Sequence, residues 1–166
     1  MANVGLSGGD KLEAHLRELL MRVGGGELRV GILQGATYPP GRVGDTSGAG
    51  PGEPYPDGLP VAQVAFWNEF GVPEHNQPPR PFFRDMIRKE SPSWGPKLAR
   101  LIKYSGSGTE ALKLLGEDMA GALKQSIMET MDPPNAPSTA ARKKFKYNKP
   151  LVDTGHMANS VGYEVK

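Results

Sequence analysis

The stretch of the sequence that most resembles a reactive site is KPLVDTGHMANSV, near the C-terminus. Its Asp153-Thr154-Gly155 triplet matches the catalytic loop of aspartic proteases, in which two such aspartates on facing loops share one proton. A chain with one triplet must dimerise to supply the second carboxylate, and each subunit needs a β-barrel-like body. Only eleven residues follow Gly155, and helical patterns precede it, so that body is missing. The sequence therefore does not predict a protease.

A structural role suits the same residues better. Asp153 is predicted to cap a short helical turn, TGHMANS, by accepting backbone N–H bonds, and Thr154 to add a hydroxyl contact. Gly155 permits a close backbone approach or a positive φ angle. Asp153 would then be an architectural residue between a loop and the last strand.

No other residues form a pattern typical of catalysis or metal binding. The histidines lie in separate segments without metal-ligand spacing, at His15, His75 and His156. Glu69 and Asp85 have no partner for an acid/base dyad, and Glu69 is expected to bond a backbone group at a helix end. The absence of cysteine excludes disulfides, zinc-cysteine sites and a thiol nucleophile. We therefore predict no enzymatic activity and no cofactor.

A basic loop over residues 132–150 is the strongest charged feature. Its cations have no acid among them and are interleaved with Phe145 and Tyr147; they are Arg142, Lys143, Lys144, Lys146 and Lys149. One interpretation is contact with nucleic-acid phosphates, with the aromatic rings stacking on bases. The interpretation favoured by so short a run is a solvated loop, or one that pairs with an acidic neighbouring subunit. The net charge of only +2 is low for a dedicated nucleic-acid-binding protein.

Length and composition predict a single domain over residues 1–166, much of it loop. Only 37% of the residues are hydrophobic, and the chain contains 22 glycines and 16 prolines. Residues 34–60 are dominated by Gly, Pro, Asp and Ser, which predicts a disordered insertion or an arm that orders on a partner. No apolar run approaches the ~20 residues of a membrane span, and the N-terminus does not resemble a signal peptide. We expect a soluble protein that is made in the cytoplasm.

Apolar periodicity predicts an α+β fold. Alternating residues in ELRVGIL and SVGYEVK predict strands near both chain ends, which are expected to join in one small antiparallel sheet. Helical patterns cover residues 10–23, 59–71, 77–90 and 91–105, and the longest covers 109–131. The sheet is expected to pack against these helices, with the Gly/Pro-rich segment as a long loop or arm.

The order of the motifs resembles a known family. The order resembles that of the minor tail protein Z-like, tail-completion or neck proteins of tailed bacteriophages. It consists of VAFWNEFGVPEHNQPPRPFFR, then a long helix, then PPNAPSTAARKKFKYNKPLVDTGHMANSVGYEV. The resemblance covers about residues 61–165. The matching positions are Ala65, Asn68, Glu69, Phe70, Gly71, Pro79, Arg80, Pro81, Phe82, Ser138, Thr139, Lys143 or Lys144, Pro150, Leu151, Asp153, Thr154, Gly155 and Ser160. Gln77-Pro78, His156-Met157 and the long 34–60 segment depart from the family pattern.

The resemblance implies a structural virion protein that is assembled in the host cytoplasm. Such proteins form a homo-oligomeric ring, here expected to hold six or twelve copies, at the head–tail junction or the head-proximal end of the tail. The implied partners are connector, tail-terminator, tube or sheath proteins and, without sequence preference, the phage DNA in the ring, which the basic loop would contact. No membrane is implied. The alternative is a sequence-independent DNA-contacting factor of assembly or packaging.

Overall fold

The computed structural model describes Gly24 and residues 26–38, 59–143 and 149–166, without the side chain of Arg142. The helix predicted over residues 10–23 lies outside the described residues. So do residues 39–58, which are most of the predicted arm, and the segment 144–148, which contains Lys144 and Lys146.

Two strands near the chain ends enclose the helices of the described chain, which confirms the predicted α+β class. The elements are β1 (Leu28–Ile32), α1 (Val61–Phe70), a 3-10 turn (Pro73–His75), α2 (Phe82–Ser105), α3 (Gly108–Glu129), α4 (Pro137–Arg142), α5 (His156–Asn159) and β2 (Val161–Val165). The prediction that residues 132–150 form only a loop is therefore wrong, because α4 lies within them. Pro137 occupies its first turn, where the missing N–H costs nothing.

The antiparallel sheet rests on α3. Leu28 of β1 lies opposite Val165 of β2, and Val30 lies opposite Tyr163. At Gly116 of α3, a Cβ would lie only 2.5 Å from Cδ2 of Tyr163 and 2.8 Å from Cδ1 of Leu28. The glycine therefore lets the sheet approach the helix closely, which accounts for a residue that otherwise weakens a helix interior.

The helices predicted over residues 77–90 and 91–105 form one continuous helix, α2, which contains Pro92 and Pro96. Each proline removes one backbone donor and disfavours a helix by about 3 kcal/mol, which is why the sequence suggested a break. The helix continues because it packs along α3, and tertiary packing outweighs propensity. It ends at Gly106, whose φ of 69° places it in the left-handed conformation, as predicted.

The hydrophobic core lies between α1, α2, α3, α5 and β2. Its buried residues are Val61, Ala65, Phe82, Met86, Ala120, Leu123, Ile127, Leu151, Met157, Ala158 and Val161. The described strands and helices thus pack around one core, and the segment before α5 contributes to it through Leu151.

Candidate functional site

The structure brings together in space several of the residues that the sequence analysis singled out. We define the motif cluster as Asn68 and Glu69 at the end of α1, Arg80 and Arg84 at the start of α2, and Asn135 before α4. Their hydrogen bonds join segments that are as many as 55 residues apart in the sequence.

Glu69 caps a helix to which it does not belong. Its carboxylate accepts hydrogen bonds from the backbone N–H of Phe83 at 2.8 Å and of Arg84 at 3.2 Å. Pro81, which precedes α2, supplies no capping side chain, so Glu69 serves the first turn instead. The expectation that Glu69 bonds a backbone group at a helix end is therefore confirmed.

A second contact fixes Glu69 more firmly. Nε of Arg84 donates to its carboxylate at 2.7 Å, and Nη2 of Arg84 donates to its backbone carbonyl at 3.0 Å. Glu69 is only 5% exposed, so this ion pair has one buried partner and one partly exposed partner. The buried carboxylate thus has donors for both oxygens, as a buried charge requires.

Arg80 is a buried cation that is held by backbone carbonyls. Its Nε donates to the carbonyl of Pro133 at 2.8 Å, and Nη2 donates to the carbonyl of Pro134 at 3.2 Å. It is 5% exposed, and burial lowers the pKa of its guanidinium from the ordinary value. Within the described ranges no carboxylate lies at salt-bridge distance from it. Arg80 therefore ties the start of α2 to the segment that follows the long helix α3.

Asn68 connects Arg80 to α1. Its side-chain oxygen accepts from Nη1 of Arg80 at 3.5 Å and from Nε2 of Gln77 at 3.2 Å, while its backbone carbonyl accepts from the N–H of Arg80 at 2.7 Å. Gly71, three residues later, has a φ of 77°. A Cβ there would lie 2.7 Å from the carbonyl oxygen of Gln77, so the close return of the chain requires glycine.

The aromatic residues of the motifs separate into core and surface. Phe82, after Pro81, is 3% exposed and lies in the core. Phe70 is 51% exposed; its ring centroid lies 4.7 Å from that of Phe66, and the guanidinium of Arg84 lies 4.8 Å above it. Phe70 therefore forms a surface aromatic pair with a cation–π contact.

The Asp153-Thr154-Gly155 triplet matches the predictions in part. Gly155 has the predicted positive φ angle, 76°, and it occupies the N-cap position of α5. The N-cap residue is therefore Gly155 and not Asp153. The hydroxyl of Thr154 accepts from the N–H of His156 at 3.4 Å, which is the predicted type of contact. The helix begins later than predicted because only glycine readily adopts this left-handed conformation at its start.

Lys143 is turned into the protein. Its Nζ donates to the backbone carbonyls of Lys149, of Pro150 at 3.1 Å and of Val152 at 2.7 Å. An ammonium group has three donors, so these bonds use all of them. The prediction that Lys143 contacts DNA does not fit this geometry, because its charge closes the segment before α5 onto α4.

The charges around Lys143 connect the triplet to the motif cluster. Burial lowers the pKa of the Lys143 ammonium group, the charge of Asp153 acts in the opposite direction, and the charge of Arg80 lowers it further. Asp153 and Arg80 are therefore both near enough to act on Lys143. The Asp153 segment and the start of α2 therefore both lie near Lys143.

The other predicted DNA contacts do not form a surface that the structure describes. Lys149 is partly buried, and the side chain of Arg142 with the whole of Lys144 and Lys146 lies outside the described residues. A basic surface that the sequence did not suggest occurs at the end of α2, where Arg100 and Lys103 are exposed beside Tyr104, which is 87% exposed. Their three- and four-residue spacing on one helix was the available signal.

The sequence also missed Arg84 and Asn135 as members of the motif cluster. Arg84 directly follows PFF at a helix start, where basic residues are unfavourable unless an acid is near, and this was the only signal for it.

In the described chain no group of three His, Cys, Asp or Glu residues is placed to hold a metal ion. Among the described helices none is long and apolar enough to cross a membrane.

Comparisons with protein-family models, with curated proteins and with solved structures find no match to this chain. Its function is therefore argued from the motif cluster and from the surfaces around it.

Proposed function

We propose that this chain is a structural protein of a tailed-phage virion. It forms a ring at the head–tail junction or at the head-proximal end of the tail, where it completes the tail and joins it to the capsid around the DNA path. The observation that carries the proposal is the set of contacts between two of the matching segments. Asn68 and Glu69 bond to the start of α2, and Arg80 bonds to Asn68 and to the segment after α3. Buried, bonded positions of this kind favour a structural role for the matching residues.

The chemistry of the cluster favours a scaffold. The charged groups of Glu69, Arg80 and Lys143 bind backbone N–H or carbonyl groups of other segments. In the described residues no buried side-chain nitrogen or oxygen lacks a partner. An enzyme of the usual kind directs a titratable or nucleophilic group into a cleft, whereas these groups hold segments together.

The part of the proposal that concerns DNA rests on the remaining basic residues. Lys144 and Lys146 of the basic loop stay predicted contacts, and Arg100 and Lys103 add an exposed pair on α2. Lys and Arg bind phosphates without regard to base sequence, as a channel that passes the whole genome requires.

Native mass spectrometry of the purified chain, together with protein identification from purified virions, tests the proposal. We expect a closed oligomer of six or twelve copies and a virion that contains the chain. A chain that stays monomeric at all concentrations and is missing from virions would overturn the proposal.

A DNA-binding titration at several salt concentrations separates the ring from the alternative function. A monomer that binds DNA strongly, loses that binding with salt and is absent from virions would favour an assembly or packaging factor. Two double variants then show which basic surface binds the DNA: Lys144→Ala/Lys146→Ala and Arg100→Ala/Lys103→Ala. The control is Lys113→Ala, at an exposed position of α3 where the lysine pairs with Glu110.

A further inference from the structure

The sheet leaves backbone groups at its two outer edges without partners in the described chain. Glu27 and Lys166 exchange both backbone bonds, at 2.9 and 3.0 Å, and Leu33 donates to Ser160 at 3.0 Å. Because bonded pairs alternate in an antiparallel ladder, the N–H and C=O groups of Leu28 and Val30 point away from β2. Those of Tyr163 and Val165 point away from β1 for the same reason. Among the residues that the structure describes, each strand therefore has one edge that no other strand covers.

A groove lies between β2 and α3. It has a volume of about 450 Å³, and its walls include Gly162 and Tyr163 on the strand and Ala120, Gly121 and Lys124 on the helix. A strand added along the free edge of β2 would direct alternate side chains toward α3, beside this groove. The small residues of α3 leave room for them.

Gly121 has no use within the described part of the chain. A Cβ at this position would meet nothing within 4 Å, whereas a Cβ at Gly116 would clash with Tyr163 and Leu28. Glycine costs a helix interior roughly 1 kcal/mol relative to alanine. Packing within the chain explains Gly116 but not Gly121, and Gly121 lies in the wall of the groove.

We propose that the sheet continues from one copy of the chain to the next, with β1 of each copy pairing antiparallel to β2 of its neighbour. The inward side chains of the neighbour's strand, which include Val30 of that second copy, would enter the groove beside Gly121. This inference deepens the proposed ring and rests on it. A contact that joins two different edges is heterologous, which is the type that closes into a ring.

Charge and register agree with a second copy as the occupant. On the face of the sheet away from α3, Arg29 of β1 and Glu164 of β2 are exposed and lie opposite each other within one chain, and Arg29 also pairs with Glu27. A sheet that continues in the same register would repeat this opposition of charges between copies. If the neighbour's strand keeps the register that β1 has within the chain, Arg29 of one copy faces Glu164 of the next. Two strands alone are only marginally stable, and a continued sheet would supply the missing neighbours.

Cysteine pairing between two singly substituted chains tests the contact directly, because the natural chain has no cysteine. Arg29→Cys and Glu164→Cys chains are mixed, assembled and oxidised, so that a disulfide between the two forms only across copies. We expect the mixed disulfide as the main product and little from either chain alone. A Lys103→Cys chain mixed with Glu164→Cys is the control.

The result distinguishes this inference from the ring itself. An oligomer that forms without the mixed disulfide overturns the sheet contact but not the ring. The same holds if Lys103→Cys mixed with Glu164→Cys gives as much disulfide as Arg29→Cys mixed with Glu164→Cys. A chain that remains monomeric overturns both.

Gly121→Leu provides a second measurement. A Cβ at position 121 meets nothing within 4 Å, and leucine favours a helix more than glycine does. We therefore expect an unchanged or higher Tm and at least a tenfold rise in the chain concentration needed for assembly. Lys113→Leu, on the same helix outside the groove, is the control for added surface hydrophobicity. Assembly of Gly121→Leu at the wild-type concentration would overturn the proposal.

Discussion

The motif cluster and the sheet treat their polar groups in opposite ways. In the motif cluster, Glu69 and Arg80 are almost fully buried, and each is bonded to segments of the same chain. In the sheet, each strand has one edge paired and one edge with no partner in the described residues. The difference indicates that the cluster fixes the fold of the single chain, and it is consistent with our proposal that the sheet joins copies.

This comparison predicts where substitutions act. A change in the motif cluster should lower the free energy of unfolding of the single chain. A change at the free edges or in the groove should leave that free energy nearly unchanged and should weaken assembly instead.

The largest effect is expected for Arg80→Met. It leaves the carbonyls of Pro133 and Pro134 without the donor that Arg80 supplies, so we expect a loss of roughly 3 kcal/mol in the free energy of unfolding. Urea denaturation of the chain at a concentration where it is monomeric measures this. Arg88→Met, at an exposed position paired with Asp85, should change it by less than about 0.5 kcal/mol. Equal effects for both variants would contradict the role of Arg80.

The two glycines of α3 give the next prediction. Gly116→Ala brings a methyl group against Tyr163 and Leu28 and should cost about 2 kcal/mol of unfolding free energy. Gly121→Ala meets no atom and should raise it by up to about 1 kcal/mol. Thermal and urea unfolding of both variants measure these two changes in the free energy of unfolding. A destabilised Gly121→Ala monomer would show that this glycine serves the fold of the single chain.

Glu69→Gln should have a smaller effect. The amide keeps one acceptor oxygen, but its NH2 group then faces a backbone N–H of α2 that had been bonded, so we expect a loss of about 1 kcal/mol. Glu74→Gln, on the exposed 3-10 turn, is the matched control and should leave the urea midpoint unchanged. No loss in Glu69→Gln would mean that its charge and second oxygen contribute nothing to the start of α2.

The smallest effect concerns pH. Burial lowers the pKa of Lys143 below its ordinary 10.5, so the unfolded chain binds this proton more tightly than the folded chain does. Its contribution to the free energy of unfolding should therefore rise as the pH rises from the folded pKa toward 10.5, and then level off. Subtracting the Lys143→Met curve from the wild-type curve should leave a positive slope in that alkaline window.

Tyr163 acts in the opposite direction in the same pH range. Desolvation and its hydrogen bond to Glu117 raise the pKa of its hydroxyl above 10.0, so its contribution falls with rising pH. Both chains contain Tyr163, so the subtraction removes it. A flat or negative difference would contradict the burial of Lys143.

The local part of the fold followed from the sequence. Alternation in residues 28–32 and 161–165 identified both strands, because a strand with one buried face must alternate. Gly71 and Gly106 identified helix ends because both have a positive φ angle, which glycine adopts more readily than other residues. Glu69 was recognised as a helix-end residue from its position alone.

The remainder depended on contacts between distant segments. Pro92 and Pro96 suggested a break that packing against α3 overrides, and no local pattern records that packing. Arg80 reaches the carbonyl of Pro133, which is 53 residues away in the sequence. The inward direction of the Lys143 side chain likewise depends on where residues 149–152 lie. The basic run therefore suggested an exposed surface, although one of its lysines is bonded inside the protein.

The most direct test of the account is an averaged electron-microscopy reconstruction of the head–tail junction of the virion. We expect this chain in a closed ring around the DNA, with β1 of each copy beside β2 of its neighbour and the motif cluster inside each copy. A junction without this chain, or a ring whose copies meet through other surfaces while both sheet edges face solvent, would contradict the account.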